Sequence, residues 1–331
     1  MSNKFSIAMC TYNGARHLGK QLESIAAQSR PPEELVICDD ASTDSTSKII
    51  AEFARAVSFP VHCHTNERNL GSTKNFERAL GFCRGDFIAL CDQDDIWLPH
   101  KLAELEAKFD RAPNVGLIFT DAELVNDDSA SVGCTLWEKL PLAAAERRRL
   151  QSNRALDELF QGASVTGATM AFRARFKDLV LPIPDDLSII HDAWIALLIS
   201  AVAGILPLAT PLIKYRQHAG QQVGALKRKG TYAANGFAPG SFRAALRREN
   251  PYPEMLALAR SVRQRLIDRQ QAFAGAEALG RIEERLAHLE MRANLPGRRL
   301  SRAPLILQEL LTLRYHAYSR GVHSAVKDLL T

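Results

Sequence analysis

Short apolar runs alternate with amphipathic segments along the first hundred residues. Four runs are typical of buried strands, and each is followed by polar residues: Phe5–Cys10, Leu35–Cys38, Val61–His64 and Phe87–Cys91. Helical spacing of apolar residues predicts three intervening helices, over Leu18–Gln28, Thr46–Ala56 and Thr73–Cys83. Strand and helix repeat every 25 to 30 residues, which is typical of an open, mostly parallel α/β sheet flanked by helices.

The alternation of apolar runs and amphipathic segments continues to about residue 225 and then ends. Further strands are predicted at Gly116–Thr120, Ala168–Phe172 and Ile205–Tyr215, with helices near Leu156–Phe160 and over Asp192–Ala203, and a variable loop up to Glu146. Residues 226–250 have no clean period, whereas residues 254–292 and 305–330 have helical spacing. We therefore predict an α/β domain over residues 1–225, then a linker and an α-helical C-terminal extension over residues 226–331.

Two apolar segments bear on the cellular compartment. Ile195 to Ile213 is uncharged over 19 residues, as long as a membrane span, but Gly204, Pro207 and Pro211 interrupt it, which predicts a buried helix followed by a strand. The N-terminal run is too short for a signal peptide, so none is expected. The six cysteines contain no C-x-x-C pair. This usage favours reduced thiols in the cytoplasm.

Charge is distributed unevenly over the 331 residues. Residues 226–331 hold 19 Lys and Arg against 9 Asp and Glu, a net of +10, whereas the whole chain is only +5, which leaves −5 for residues 1–225. The basic extension predicts contact with an anionic surface, either the inner face of the cytoplasmic membrane, met peripherally, or a polyanion; a solvated helical face is the alternative. Nucleic-acid binding is not expected, because the basic residues lack interleaved aromatic residues and no known motif is present.

Three polar loops follow the first, second and fourth strands, and in an open α/β sheet they should line one crevice. The first loop lacks the glycine patterns of dinucleotide-binding and phosphate-binding loops. The other two are acidic: Asp39-Asp40-Ala41-Ser42-Thr43-Asp44 and Asp92-Gln93-Asp94-Asp95. Carboxylates spaced as in Asp92 and Asp94 can hold Mg²⁺ or Mn²⁺ when a diphosphate supplies the other ligands. Capping of the next helix is the alternative role of both acidic loops.

Four blocks in order resemble the family 2 glycosyltransferases. They are Ser6 to Gly14, Leu35 to Asp44, Asn69-Leu70-Gly71 with Asn75, and Gly85 to Asp95. The likeness extends from residue 5 to about residue 218. It implies a GT-A nucleotide-diphospho-sugar transferase fold and transfer of a sugar with inversion at the anomeric carbon.

The resemblance also implies roles for individual residues. The nucleotide-sugar donor would contact ten residues: Thr11, Tyr12, Asn13, Asp39, Asp40, Asn69, Asn75, Asp92, Gln93 and Arg216. Asp94 and His218 would bind Mg²⁺ or Mn²⁺. Asp192 would be the general base, and its alternative role is to cap the helix that follows. His191 departs from the acidic residue that the family more often has there.

The donor and acceptor follow from finer likenesses. Tyr215-Arg216-Gln217-His218 and the run from Asp92 to Trp97, followed by Lys101, resemble rhamnosyltransferase-like members. A Q-x-x-R-W motif, found in polymerising members, is absent from the sequence. The resemblance therefore implies transfer of a single sugar, with dTDP-L-rhamnose as the expected donor, to a lipid-linked or cell-surface polysaccharide acceptor. A UDP-sugar donor, and a non-catalytic nucleotide-sugar-binding or assembly module, are the alternatives.

Overall fold

The computed structural model describes residues 4–140, 142–162, 165–187, 189–218 and 252–330. In this part of the chain the strands are β1 (Phe5–Thr11), β2 (Glu34–Asp39), β3 (Val61–Thr65), β4 (Phe87–Cys91), β5 (Ile96–Trp97), β6 (Val115–Val125), β7 (Ser131–Thr135), β8 (Met170–Arg173) and β9 (Gly204–Arg216). They form one nine-stranded sheet in the order β3-β2-β1-β4-β8-β6-β9-β5, with β7 paired to β6 beside this path.

Helices flank the sheet, and several more follow it. The first group is α1 (Leu18–Ala26), α2 (Thr46–Ala56), α3 (Ser72–Phe82), α4 (Lys101–Arg111), α5 (Leu136–Lys139), α6 (Ala144–Leu150), α7 (Ala155–Phe160), α8 (Lys177–Val180) and α9 (His191–Val202). The second group belongs to the C-terminal extension: α10 (Tyr252–Asp268), α11 (Ala276–Ala293), α12 (Arg299–Leu311), α13 (Arg314–Tyr318) and α14 (Val322–Leu330).

Strands β3, β2, β1 and β4 form the parallel half of the sheet, as the apolar runs predict. Every residue of β2 and β4 is buried, which is why Leu35–Cys38 and Phe87–Cys91 are continuously apolar instead of alternating. In the register, Thr11 lies opposite Asp39 and Met9 lies opposite Cys91. The carboxyl ends of β1, β2 and β4 therefore meet at one edge of the sheet.

The other half of the sheet is mixed, which differs from the mostly parallel arrangement that the sequence predicts. Strand β8 lies antiparallel between β4 and β6, and the short strands β5 and β7 are antiparallel to their neighbours. Only β6 and β9 are parallel in this half. The predicted variable loop before Glu146 also differs, because it contains the end of β6, β7, α5 and the beginning of α6.

The uncharged stretch from Ile195 to Ile213 divides between α9 and β9, as predicted. Helix α9 is apolar because it is buried, with Trp194, Ile195 and Leu198 fully enclosed in the core. Among the residues that the structure describes, none of the helices has the length and apolar content needed to cross a membrane.

The helices of the extension contribute to two separate hydrophobic cores. Residues of α10 and α11, including Val262, Leu266 and Ile282, belong to the same core as the sheet. Ile306, Tyr315 and Ala325 of α12 to α14 form a separate small core. The helices predicted over residues 254–292 and 305–330 are therefore confirmed as helical regions, each divided into shorter helices. The predicted linker over residues 226–250 lies outside the described residues, and the boundary at residue 225 stays a prediction.

Candidate active site

A cleft of about 410 Å³ opens at the carboxyl edge of β1, β2 and β4, in the range of small-molecule sites. Residues from seven separate parts of the chain line it: Cys10, Thr11, Tyr12, Asp40, Asn69, Gly71, Ser72, Asn75, Phe76, Asp92, Gln93, Asp94, Thr166, Gly167, Ile190, His191, Asp192, Tyr215 and His218. Ten of the thirteen predicted site residues are in this set.

The first and third loops are joined by one side chain. Gln93 accepts a hydrogen bond from Tyr12 N at 2.8 Å through Oε1 and donates to Tyr12 O at 3.1 Å through Nε2. The chain at Gly14 passes so close that a Cβ there would lie 2.1 Å from Gln93 Oε1. A side chain at position 14 would therefore displace the Gln93 amide, which in this arrangement fixes the backbone of Tyr12 at the mouth of the cleft.

Asp39 and Asp40 are both buried but act in different places. Asp39 accepts from Thr11 Oγ1 at 2.7 Å and from Ser42 N at 2.9 Å, so its carboxylate closes the second loop and does not line the cleft. Asp40 lines the cleft and accepts from Leu70 N at 2.7 Å and Gly71 N at 2.9 Å. Neither of them caps helix α2. Asp44 accepts from Thr46 N at 2.9 Å at the start of α2.

Two asparagines hold the loop before α3 against the sheet. Asn75 donates to Cys38 O at 2.7 Å, and Asn66 donates to Asn75 Oδ1 at 2.9 Å and to Asp40 Oδ1 at 2.7 Å. Gly71 has a φ of 82°, which favours glycine. Its N–H also donates to Asn69 Oδ1 at 3.0 Å. The motif Asn69-Leu70-Gly71 thus shapes the cleft through its backbone as well as its side chains.

The acidic loop after β4 brings carboxylates together in a buried place. Burial raises the pKa of Asp92 to about 7, and the charges of Asp94 and Asp192 add to this shift. Asp95 is fully buried behind the cleft, and burial raises its pKa well above the usual range; Oδ1 accepts from Arg216 N at 3.0 Å. Asp95 therefore fixes the end of β9 to the acidic loop.

Asp94 and His218 contact each other in the cleft. His218 Nε2 lies 2.8 Å from Asp94 Oδ2. Arg216 is buried behind them and donates from Nε to Asp94 O at 2.7 Å and from Nη1 to Asp127 O at 2.7 Å. Arg216 therefore does not line the cleft, and its predicted contact with the donor stays a prediction. Its guanidinium supports the backbone of the residue that carries the carboxylate.

Asp192 lies in the first turn of α9, on another side of the cleft. Its Oδ2 accepts from Gly167 N at 3.1 Å and its Oδ1 accepts from Ala193 N at 2.6 Å. Burial raises the pKa of Asp192 to about 7. A carboxylate with this pKa is half protonated near neutral pH and is suited to exchange protons. The alternative capping role is partly present, since Oδ1 binds the next N–H of the same helix.

His191 lines the cleft beside Asp192 and is held by stacking. Its ring lies 4.1 Å from the ring of Phe76, centroid to centroid, at 24°. Burial lowers the pKa of His191 to about 3. The imidazole is therefore neutral at physiological pH, so this position contributes no charge where the family more often has an acidic residue.

Three further residues support the site, and the sequence reasoning assigned them no such role. His17 lies 5.0 Å from the His218 ring, centroid to centroid, and its Nε2 is 3.0 Å from Asp127 Oδ1. Lys101 is fully buried over the Trp97 ring and donates to Ala168 O at 3.0 Å, next to the Gly167 that binds Asp192. Asn66 is the third. Lys101 belongs to the run that resembles rhamnosyltransferase-like members, and His17 and Asn66 each lie three residues from a recognised block, but their roles depend on contacts with other parts of the chain.

The charged groups of the cleft are mainly acidic. Asp40, Asp92, Asp94 and Asp192 line it, and none of the described lining residues is a lysine or an arginine. The described residues also contain no cluster of three or more His, Cys, Asp or Glu side chains able to hold a metal ion by themselves. Asp94 and His218 can supply two ligands, which fits Mg²⁺ or Mn²⁺ when a diphosphate provides others.

Comparison with known proteins agrees with this geometry. The family model described as Glycosyl transferase family 2 matches residues 6–176, more than half of the chain. The chain belongs to glycosyl transferase family 2. The resemblance read from the four sequence blocks is therefore confirmed at the level of the family.

Curated relatives match part of the chain. The putative glycosyltransferase EpsE of Bacillus subtilis is 32% identical over 138 residues, which are 42% of this chain and 49% of that protein. The UDP-Glc:alpha-D-GlcNAc-diphosphoundecaprenol beta-1,3-glucosyltransferase WfgD of Escherichia coli is 32% identical over 124 residues, 38% of this chain and 47% of that protein. The chain thus spans about half the length of these curated relatives.

Solved structures extend the likeness in fold to most of the chain. TarS 1-349 of S. aureus, in complex with UDP-GlcNAc, aligns with a TM-score of 0.55 at 17% identity, over 98% of this chain and 81% of that one. The mannosyltransferase PcManGT of Pyrobaculum calidifontis, in complex with GDP-Man and Mn²⁺, aligns with a TM-score of 0.51 at 18% identity, over 100% and 86% of the two chains. This family 2 member therefore has the expected GT-A fold.

Proposed function

We propose that the protein is an inverting, metal-dependent glycosyltransferase that moves one sugar from a nucleotide-diphospho-sugar to a lipid-linked or cell-surface polysaccharide acceptor. The charge of the cleft carries this proposal. Four carboxylates line it with no lysine or arginine among the described lining residues. A diphosphate can enter such a site only together with a cation, since like charges repel at close range. Membership of glycosyl transferase family 2 supports the same reaction class.

The proposed donor site runs along the carboxyl ends of β1, β2 and β4. Thr11, Tyr12 and Asp40 would contact the base and ribose, with Asn69 and Asn75 shaping the loop beside them. Asp92 and Gln93 lie between this wall and Asp94, where the ribose and the sugar would be bound. Asn13, Asp39 and Arg216 do not line the cleft, so we assign them a positioning role. Thr43 N donates to Asn13 Oδ1 at 2.8 Å, which holds the first two loops together.

Asp94 and His218 would hold Mg²⁺ or Mn²⁺. When bound, the ion would neutralise the charge that develops on the leaving diphosphate. Arg216 keeps Asp94 in place through its backbone carbonyl, at 2.7 Å. His17 packs against His218 and restricts the rotation of its ring.

Asp192 would be the general base. The acceptor hydroxyl would approach on its side of the cleft, and Asp192 would accept its proton as the new bond to the anomeric carbon forms. The N–H groups of Gly167 and Ala193 orient the carboxylate. Its raised pKa gives it the proton affinity that this step requires near neutral pH.

For the donor we propose dTDP-L-rhamnose, on the likeness of Tyr215-Arg216-Gln217-His218 and of the acidic loop to rhamnosyltransferase-like sequences. A UDP-sugar is the second candidate, because the Escherichia coli relative is named for UDP-Glc and for a diphosphoundecaprenol-linked acceptor. We also propose that the enzyme acts in the cytoplasm, at the inner face of the cytoplasmic membrane. That is where an acceptor carried on a lipid is accessible.

Thermal unfolding of the full chain with dTDP, UDP, GDP, dTDP-rhamnose and UDP-sugars, each with and without Mg²⁺ or Mn²⁺, tests the proposal. A ligand at about 100 times its Kd adds roughly 2.7 kcal/mol to the free energy of unfolding, or a few degrees in Tm. We expect dTDP compounds to raise Tm only with the metal ion. The variant Asp94→Asn should lose this shift, whereas Asp178→Asn, on the surface of α8, should keep it.

Each other outcome has a defined meaning. Shifts with UDP compounds alone would replace the donor and keep the reaction class. If nucleotides raise Tm but no nucleoside diphosphate is released from the nucleotide sugars in the presence of acceptor extracts, a binding module is favoured over an enzyme. No shift with any nucleotide would reject the nucleotide-sugar proposal.

A further inference from the structure

The far end of the helical extension exposes an unusual amount of apolar surface. Among the described residues, eleven large hydrophobic side chains are exposed, and eight of them lie between residues 300 and 330. Leu300, Leu307 and Leu311 of α12 are 91%, 57% and 76% exposed. Spacings of seven and four residues place these three leucines on one face of the helix. The opposite face, with Ile306, packs into the small core of the extension.

Helix α14 repeats this arrangement. Val322, Val326 and Leu330 are exposed at intervals of four residues, and Ala325 between them is buried. Helices α12 and α14 pack against each other, and each presents an apolar row to solvent. Leu313, in the turn after α12, is also exposed. Exposed apolar patches of this size mark places where a protein meets a partner or a membrane.

The exposed charged side chains around these apolar rows are all positive. The two side-chain carboxylates of residues 294–330 are both buried and paired: Glu309 lies 2.6 Å from His288 Nδ1, and Asp328 lies 2.6 Å from Arg292 Nε. The exposed charged side chains of this segment are all basic: Arg298, Arg299, Arg320 and Lys327.

Helices α10 and α11 differ. Two arginines there pair with exposed glutamates: Arg260 with Glu290 at 2.7 Å and Arg263 with Glu283 at 3.0 Å. Within the described helices of the extension, residues 252–293 hold seven arginines against six acidic residues, whereas residues 294–330 hold six basic residues against two acidic ones. The excess positive charge of these helices therefore lies at the far end, where the leucines are exposed.

We propose that this apolar and basic surface of α12 and α14 docks on a bilayer that contains anionic phospholipids. Leucine and valine side chains would enter the interface while the arginines at the start of α12 contact lipid phosphates, the arrangement of interfacial amphipathic helices. A second copy of the chain fits less well, because two such surfaces would bring like charges together. The inference is independent of the donor site and needs no catalytic activity.

Co-sedimentation of the full chain with vesicles tests the proposal. Vesicles of phosphatidylcholine alone and with phosphatidylglycerol are compared at low and high salt. We expect binding to the anionic vesicles that weakens as salt rises. Arg298→Gln with Arg299→Gln should reduce the partition coefficient by roughly tenfold or more, since each basic residue near such a surface contributes about fivefold. Leu307→Gln with Leu311→Gln should reduce it by at least tenfold.

The matched control is Lys48→Gln with Arg55→Gln, which removes the same charge from the exposed face of α2 and should bind as the parent chain does. Far-UV circular dichroism and Tm verify that each variant is folded. Parent-like binding by both test variants would overturn the proposal. A dimer that Leu307→Gln with Leu311→Gln dissociates, without vesicle binding, would also overturn it and identify a second copy as the occupant. Nucleotide-induced Tm shifts on the same variants should stay unchanged, which separates this test from that of the donor site.

Discussion

Asp192 combines burial with two hydrogen bonds that orient its carboxylate, and burial raises its pKa to about 7. If Asp192 is the general base, only its ionised form accepts the acceptor proton. We therefore expect kcat/KM to rise with pH and to level off above about pH 7. Asp192→Asn should lower kcat by roughly 10²-fold to 10⁴-fold. The pH profile of nucleoside diphosphate release measures both effects, and an Asp192→Asn enzyme with the parental profile would contradict the assignment.

The same carboxyl makes a prediction about stability that needs no substrate. A pKa raised from 3.8 to about 7 means that the folded state favours the protonated form. Ionisation therefore costs stability, and this cost grows from about pH 4 until it is complete above about pH 7. Asp192→Asn removes the cost, so its Tm relative to the parent should increase between pH 5 and pH 8. A difference in Tm that does not depend on pH would show that the folded-state pKa is not raised.

At the level of elements, the segment between β6 and α6 shows how a short motif fixes a turn. Thr135 Oγ1 accepts from Glu138 N at 3.3 Å and Glu138 Oε2 accepts from Thr135 N at 2.7 Å, a reciprocal capping box at the start of α5. Asp121 Oδ1 also accepts from Trp137 N at 3.0 Å. These bonds bury Leu136 and Trp137 against the sheet.

Thr135→Ala removes one half of the capping box. We expect it to lower the free energy of unfolding by about 1 kcal/mol. Ser131→Ala is the control, because Ser131 is exposed in β7 and accepts only from Gly133 N at 3.3 Å. Urea unfolding followed by circular dichroism measures both variants. Equal midpoints for the two would mean that the capping box does not stabilise this region.

The parallel half of the fold could be predicted from the sequence because β1, β2 and β4 are buried on both faces and the helices between the strands have a regular apolar stripe. The capping box Thr135-Leu136-Trp137-Glu138 was a local signal that could have located α5. The direction of β8 could not be predicted in this way, because its residues Met170, Ala171 and Phe172 are buried and apolar whichever way the strand runs. Its antiparallel pairing depends on the chain around it.

The candidate site likewise contains residues that could be placed from the sequence and residues that could not. Residues at the ends of apolar runs, such as Thr11, Asp40 and Asp92, could be placed in one cleft because parallel strands end at one edge. The supporting role of Arg216 could not be predicted, because its guanidinium donates to backbone carbonyls of a loop about 90 residues away in sequence. Lys101 likewise supports Asp192 only through Ala168 and Gly167. Such contacts arise from packing and leave no local pattern.

At the scale of the whole molecule, a buried ion pair joins the extension to the GT-A fold. Arg285 of α11 is almost fully buried, and its Nη2 lies 3.0 Å from Asp157 Oδ1 of α7. The guanidinium also lies 4.7 Å from the ring centroid of Phe160 and 5.0 Å from that of Tyr318. One side chain therefore connects α7, α11 and α13. Because α10 and α11 also share the main core, we expect the two parts to unfold together.

Arg285→Met tests this coupling. It leaves the buried Asp157 with only a long 4.0 Å contact to Arg281, and breaking a buried pair in this way costs about 3–5 kcal/mol. Arg285→Met with Asp157→Leu should recover much of that loss, since no buried carboxylate is left without its partner. The three tryptophans, Trp97, Trp137 and Trp194, lie in the α/β part. Fluorescence therefore reports that part, and circular dichroism also reports the extension. If the parts are coupled, urea shifts both signals together in each variant, whereas loss of helix before any change in fluorescence would show that the extension unfolds alone.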